Sequence, residues 1–236
     1  MKPLKCLQAS MIAHSLQVLA LAAAMPLLAG CSDETLFQSN FDATAVDQPP
    51  AATQAIGTAA VEGPTGSVLV VAAPDALNGK WLRLQRPNAD TGFPAFQGIL
   101  SKVGNEGRYT FSTIMFMPTG ADTTTIQFEQ LTPPQSFVHL DFMPENNVRI
   151  DDNEATRFAT FPRDQPFIVQ VTLDTTATPN VHVVLSGAGA SGTADYTIQP
   201  SLQGYARQFG AIRLWIGFPH IGEFYATTMV VTRRKT

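Results

Sequence analysis

Apolar and polar residues alternate with period two in many short runs along the chain, and Gly, Pro, Asn or Asp bounds each run. Successive residues of a strand point to opposite faces, so this alternation predicts strands with one buried and one solvated face. Segments 67–72, 80–85, 108–116, 124–129, 137–142, 167–173, 180–186, 210–216 and 224–232 all show it. Turn signals separate them, among them Asn78-Gly79, Asn105-Glu106-Gly107 and Thr178-Pro179-Asn180. Only 201–209 offers a weak helical pattern, and no repeat of fixed period is present. The expected fold class is all-β, an antiparallel sandwich or barrel with little helix.

The first thirty residues do not follow this pattern. Lys2 and Lys5 are followed by a largely apolar run, 16–29. It is shorter than the roughly 20 apolar residues of a spanning helix and has the layout of a secretory signal. The run ends Leu28-Ala29-Gly30-Cys31. This resembles the bacterial lipobox, and the resemblance implies that the Cys31 thiol receives a diacylglycerol and becomes the mature N-terminus. An ordinary secretory signal that happens to carry a Cys, or an uncleaved anchor, is the plainer alternative. Ser32 follows the Cys, and Asp33 stands one place later than the Asp that tends to retain such lipoproteins at the inner membrane. The expected location is therefore the outer membrane of the bacterial cell envelope, with the membrane as a partner through lipid on Cys31. Several acyl chains, at about 0.8 kcal/mol per buried CH2, give stable anchoring.

The expected organisation is a signal peptide over 1–30, a short lipidated tether over 31–34 and one sandwich domain over 35–236. Segment 35–42 looks like an opening strand, which makes the Ala-, Thr-, Pro- and Gly-rich stretch 43–66 a long loop within the domain rather than a flexible tether.

Composition narrows the function classes. Charged residues make up 14% of the chain, against about 25% in an average soluble protein, which excludes a coiled coil or a charged disordered tail. Without 1–30 the chain keeps 13 basic and 19 acidic residues, a net charge of −6, so no nucleic-acid partner is expected. Of the two Cys, one leaves with the signal and the other is the anchor. No disulfide is then available, and stability must come from a packed core.

Segment 36–42, Leu-Phe-Gln-Ser-Asn-Phe-Asp, resembles the opening strand of concanavalin A-like jelly rolls, the laminin-G-like group. The middle is similar too: 137–142 as one strand, 147–150 as a short hairpin partner, then 161–167 leading into Val169-Gln-Val-Thr-Leu-Asp174 and the strand 181–185. The closing strand, 223–233, takes the usual place beside the first. The resemblance covers most of 35–236 and implies a jelly roll, but as a pattern of strands and turns it carries no activity. Jelly-roll glycosidases of this kind place paired Glu on one strand, and no such spacing occurs here.

Candidate chemistry is sparse. His139 and Asp141, two apart on an apparent strand, share a face and could form an acid–base or orienting pair, with Val138, Leu140 and Phe142 toward the core. A hydrogen-bonded sheet face is the simpler reading. Asp151, Asp152 and Glu154 could supply oxygens to Ca2+, but they lack EF-hand spacing and read more simply as a polar hairpin turn. His182 and His220 stand alone, so no zinc site is expected. No nucleophile elbow or phosphate loop is present, and 187–192 reads as a flexible Gly-rich loop.

Trp81, Tyr109, Trp215 and Tyr225 have flat faces that suit the C–H groups of pyranose rings, and Arg83, Arg108, Arg207 and Arg213 could add hydrogen bonds. Alternation pairs Arg213 with Trp215, and Trp81 with Arg83, on polar faces. These four residues form the candidate ligand platform. Aromatic–Arg stacking or a second buried face is the plainer explanation. These residues favour a non-enzymatic binding module for a glycan or another envelope or extracellular partner. A glycan-active hydrolase or lyase, and a structural envelope lipoprotein without a small ligand, are the alternatives.

Overall fold

The structure is a computed structural model that describes residues 33–74 and 77–234; the expected signal segment 1–30, Cys31 and Ser32 lie outside the described residues. Fifteen strands form one antiparallel sheet of order β2-β5-β14-β7-β8-β9-β10-β13-β12-β11-β6-β15-β4-β3, with β1 added on β15. The sheet folds over at the two-residue strand β10 (Ala159–Thr160). That makes two layers.

The first layer holds β2 (Thr58–Glu62), β5 (Ala95–Ile99), β14 (Phe209–Trp215), β7 (Thr124–Leu131), β8 (Pro134–Phe142) and β9 (Asn147–Ile150). The second holds β13 (Ser191–Thr197), β12 (Asn180–Ser186), β11 (Pro166–Asp174), β6 (Arg108–Phe116), β15 (Gly222–Arg234), β4 (Lys80–Arg86) and β3 (Val68–Ala72), with β1 (Asp33–Ser39).

The inward residues of both layers form one core. Aromatic rings join the layers: Phe111 of β6 meets Phe128 of β7 at 5.7 Å, Phe142 of β8 meets Phe167 of β11 at 5.9 Å, and Tyr109 of β6 meets Phe209 of β14 at 5.5 Å. Gly98 of β5 leaves room for the Phe37 ring, which a Cβ there would approach to 2.8 Å.

All nine alternating segments are strands. The structure also adds β2, β5 and β13. Strand β2 lies inside 43–66, so that stretch is not one long loop, and β13 begins inside the expected Gly-rich loop 187–192. The inward positions of β13 are Gly192, Ala194 and Tyr196, and those of β5 include Gly98, so small residues hid the apolar period. Strand β1 pairs Asp33 with Arg234 and Glu34 with Arg233. The expected tether residues 33–34 therefore belong to the sandwich. The weak helical pattern is a short turn of helix over 200–206. Among the described residues no helix is long and apolar enough to cross a membrane.

Candidate functional site

The outer face of the first layer is polar and set by register. Directly opposed residues form the row Ala60–Gln97–Arg213–Gln127–His139 across β2, β5, β14, β7 and β8. A neighbouring row runs Glu62–Ala95–Trp215–Thr125–Asp141–Arg149. Glu129, opposite Ala211, begins a third. The partner residues at 126, 128, 212 and 214 point into the core.

Arg213 organises the first half of this face. Its Nη2 donates to Glu62 Oε2 at 2.6 Å, and its Nη1 lies 4.0 Å from Glu129 Oε1. The guanidinium also sits 5.7 Å from the centre of the Trp215 ring. Glu129 is 5% exposed although it lies on an outer face, because neighbouring side chains cover it. Gln97 Nε2 donates to Glu129 Oε2 at 2.7 Å. Burial pushes the Glu129 carboxyl above its usual value, against the pull of Gln97 and Arg213. With its oxygen and nitrogen assigned to satisfy both neighbours, the Gln127 amide bridges the group: its nitrogen donates to Glu129 Oε1 and its oxygen accepts from Trp215 Nε1, both at 3.2 Å. Trp215 is half-buried, with Phe93 edge-on at 6.3 Å. Gly217 lies against the same ring, which a Cβ there would approach to 2.8 Å. Every polar atom of the indole is thus satisfied within the face, and its ring is fixed.

The second half centres on His139. Its Nδ1 contacts Asp141 Oδ2 at 2.8 Å, and its Nε2 lies 3.6 Å from Asp151 Oδ1. Asp141 is buried; its Oδ1 accepts from Thr125 Oγ1 at 2.9 Å and its Oδ2 from the Asp152 backbone N–H at 2.8 Å. Residues 151 and 152 are both left-handed, with φ of 56° and 48°, a conformation Asp tolerates. That turn brings Asp151 back onto the His139 backbone N–H, 2.9 Å away.

Burial opposes protonation of His139, but the hydrogen bond and charge of Asp141, with Asp151 and Asp152, outweigh it and raise its pKa above 6.5. A raised folded-state value stabilises the protein below the unfolded pKa, and the contribution is lost as pH rises through the folded value. The urea midpoint of the wild type should therefore exceed that of His139→Gln most at about pH 5.5, and the gap should shrink toward about pH 9. A gap that widens with pH would refute the imidazolium assignment.

Several expectations need correction. Trp81 and Arg83 lie on β4, in the second layer, so they do not converge with Arg213 and Trp215. Alternation placed each pair on an outer face but could not say which layer. Trp81 is moreover 3% exposed, and its Nε1 donates to Asn78 O at 3.1 Å, so it presents no platform. Tyr109 is buried in the core, and Tyr225 belongs to the second layer against Phe116. Asp151, Asp152 and Glu154 do not converge on a cation position. Asp151 turns to His139, while Glu154 and Asp152 face Arg149. Among the described residues no group of three or more His, Cys, Asp or Glu is arranged to hold a metal ion.

The residues not singled out from sequence are Glu62, Gln97, Gln127 and Glu129. Gln127 and Glu129 alternate with Ile126 and Phe128 in a segment already assigned as a strand, so that signal was present. Glu62 and Gln97 sit on strands that the pattern did not reveal.

No protein-family model and no curated protein matches the sequence. Solved structures do. The alginate lyase Aly36B is similar over 86% of this chain and 97% of its own, with 9% identity and a TM-score of 0.50. The exoplasmic/lumenal domain of VIP36, in a form bound to Ca2+ and Man3GlcNAc, is similar over 75% of this chain and 84% of its own, with 10% identity and a TM-score of 0.47. A sialidase is similar over 75% of this chain, with 14% identity and a TM-score of 0.48, but this chain spans only 19% of it. At such identities the likeness to Aly36B is one of fold. It agrees with the strand order: the architecture is an antiparallel jelly-roll sandwich of the concanavalin A-like kind.

Proposed function

We propose that this protein binds a glycan across the outer face of the first layer, as a lipoprotein held to the bacterial outer membrane through Cys31. The observation that carries the glycan reading is Trp215. A half-buried indole stands between the strands of a hydrogen-bonded polar face, held by Gln127, Arg213, Phe93 and Gly217. A fixed aromatic surface loses little entropy when a sugar ring stacks on it, and the surrounding amides and carboxylates can meet sugar hydroxyls. The lipobox residues 28–31 support the anchor.

On a glycan array, Trp215→Ala should weaken binding at least about tenfold, as loss of a central aromatic anchor does. Arg83→Gln, in the other layer, should leave binding unchanged. Absence of any bound glycan, or binding indifferent to Trp215→Ala, would overturn the reading and leave a structural envelope protein.

A second reading, polysaccharide turnover by a hydrolase or lyase, draws on the contact between His139 and Asp141. Asp151 beside the far ring nitrogen favours the imidazolium and weighs against His139 as a base. Turnover that disappears in His139→Ala would support this second reading.

A further inference from the structure

The charges on this face bear on what kind of glycan it takes. Glu62, Glu129, Asp141 and Asp151 lie on or against the rows, and the cationic groups there are the guanidinium groups of Arg213 and Arg149 and the imidazole of His139, so carboxylates still outnumber cations four to three. The rows contain no Lys. Both Arg are already engaged. Arg149 pairs with Glu154 and faces Asp152, while Arg213 pairs with Glu62 and lies beside Glu129. An Arg recognises a carboxylate or sulfate by presenting two parallel N–H groups. Arg213 directs its Nη2 and Nη1 toward two carboxylates of its own chain, so a sugar carboxylate arriving beside Trp215 would meet an occupied guanidinium and a surplus of negative charge.

Glu62 differs from its companions. It stands at the end of the edge strand β2 and its side chain is 53% exposed, so its carboxylate is not part of the buried core. Its carboxylate nevertheless reaches over β5 to make the shorter of the two contacts to Arg213.

Resting on the glycan-binding reading above, we infer that Glu62 is a specificity residue: by occupying Arg213 it turns the face toward uncharged glycans and away from uronate-bearing ones. The discrimination comes from a repulsive element, an unfavourable site for the wrong ligand, rather than from an extra contact with the right one. Glu129 contributes from beneath, 4.0 Å from Arg213, but its burial ties it to the fold as well.

The test uses the full mature chain on an array of neutral β-glucan and polymannuronate oligomers of matched length at low ionic strength. The wild type should prefer the neutral set. Glu62→Gln should raise the ratio of polymannuronate to neutral binding about three- to fivefold, the range expected from releasing one exposed ion pair. High salt should erase that gain. A wild type that prefers polymannuronate, or a Glu62→Gln variant that gains nothing on it, would overturn the inference while leaving the glycan reading intact. Binding to neither set would overturn both.

Discussion

Arg86→Met is expected to destabilise the fold by about 3 kcal/mol, read as a lowered urea midpoint, because it removes at once the five hydrogen bonds that a buried guanidinium makes to four backbone carbonyls. Arg86 ends β4 with its side chain inward, 1% exposed, in the position that alternation with Leu82 and Leu84 assigns to the core. Its guanidinium fans out to four carbonyl oxygens. Nη1 donates to Gly217 O at 3.0 Å and His220 O at 2.7 Å. Nη2 donates to Ala89 O at 2.6 Å and Thr91 O at 3.0 Å, and Nε donates again to Thr91 O at 3.1 Å. The cation is thus solvated by backbone dipoles, and it ties segment 87–93 to segment 217–220.

The consequence reaches the candidate site. Arg86 also lies 4.8 Å from the centre of the Phe93 ring, which packs edge-on against Trp215, and Gly217 touches the same indole. Met can fill the volume but donates no hydrogen bond. Hydrogen exchange of 87–93 and 217–220 should therefore accelerate before that of β6 and β11. Arg86→Lys should recover only part of the stability, since one ammonium cannot serve both segments. A Met variant as stable as the wild type would show that the carbonyls find other partners.

How much of this was legible in the sequence depends on the range of each interaction. The alternation of Arg213 and Trp215 with Ile212, Leu214 and Ile216 is local, and it placed them on an outer face. The same rule put His139 beside Asp141, and the two are in contact. Strand order is not local. Glu62 and Arg213 are 151 residues apart and meet because β2, β5 and β14 are neighbours. Trp81 with Arg83 repeats the local pattern of Arg213 with Trp215, yet the fold assigns the pairs to different layers. Period two reports a face and is silent about the layer to which that face belongs. The inward Arg86 was a signal of another kind: a charged residue at an apolar phase predicts a buried hub with dedicated partners, although not which partners.

Cys31→Ser should release the protein from the membrane fraction and abolish incorporation of labelled palmitate, as the proposed anchor requires. The rest of the fold supplies a geometric consequence. Ser32 alone separates Cys31 from Asp33, where β1 begins, so a lipid on Cys31 would be attached within about 7 Å of chain from that strand. Asp33 pairs with Arg234, the last residue of β15, whereas β15 starts at Gly222, directly after the 216–221 connection from Trp215. The two ends are the opposite ends of β15, which is bulged between Thr227 and Val230, where Thr228 takes a φ of 51°. The tethered end would carry Asp33 and Arg234, and the end bearing Trp215, Phe93 and the Arg86-bound segments would project away from the bilayer. Glycan binding by the anchored protein in intact vesicles should then match that of the soluble Cys31→Ser form. Retention of the Ser variant in the membrane fraction would refute the anchor. Weaker binding only in the anchored form would refute the orientation.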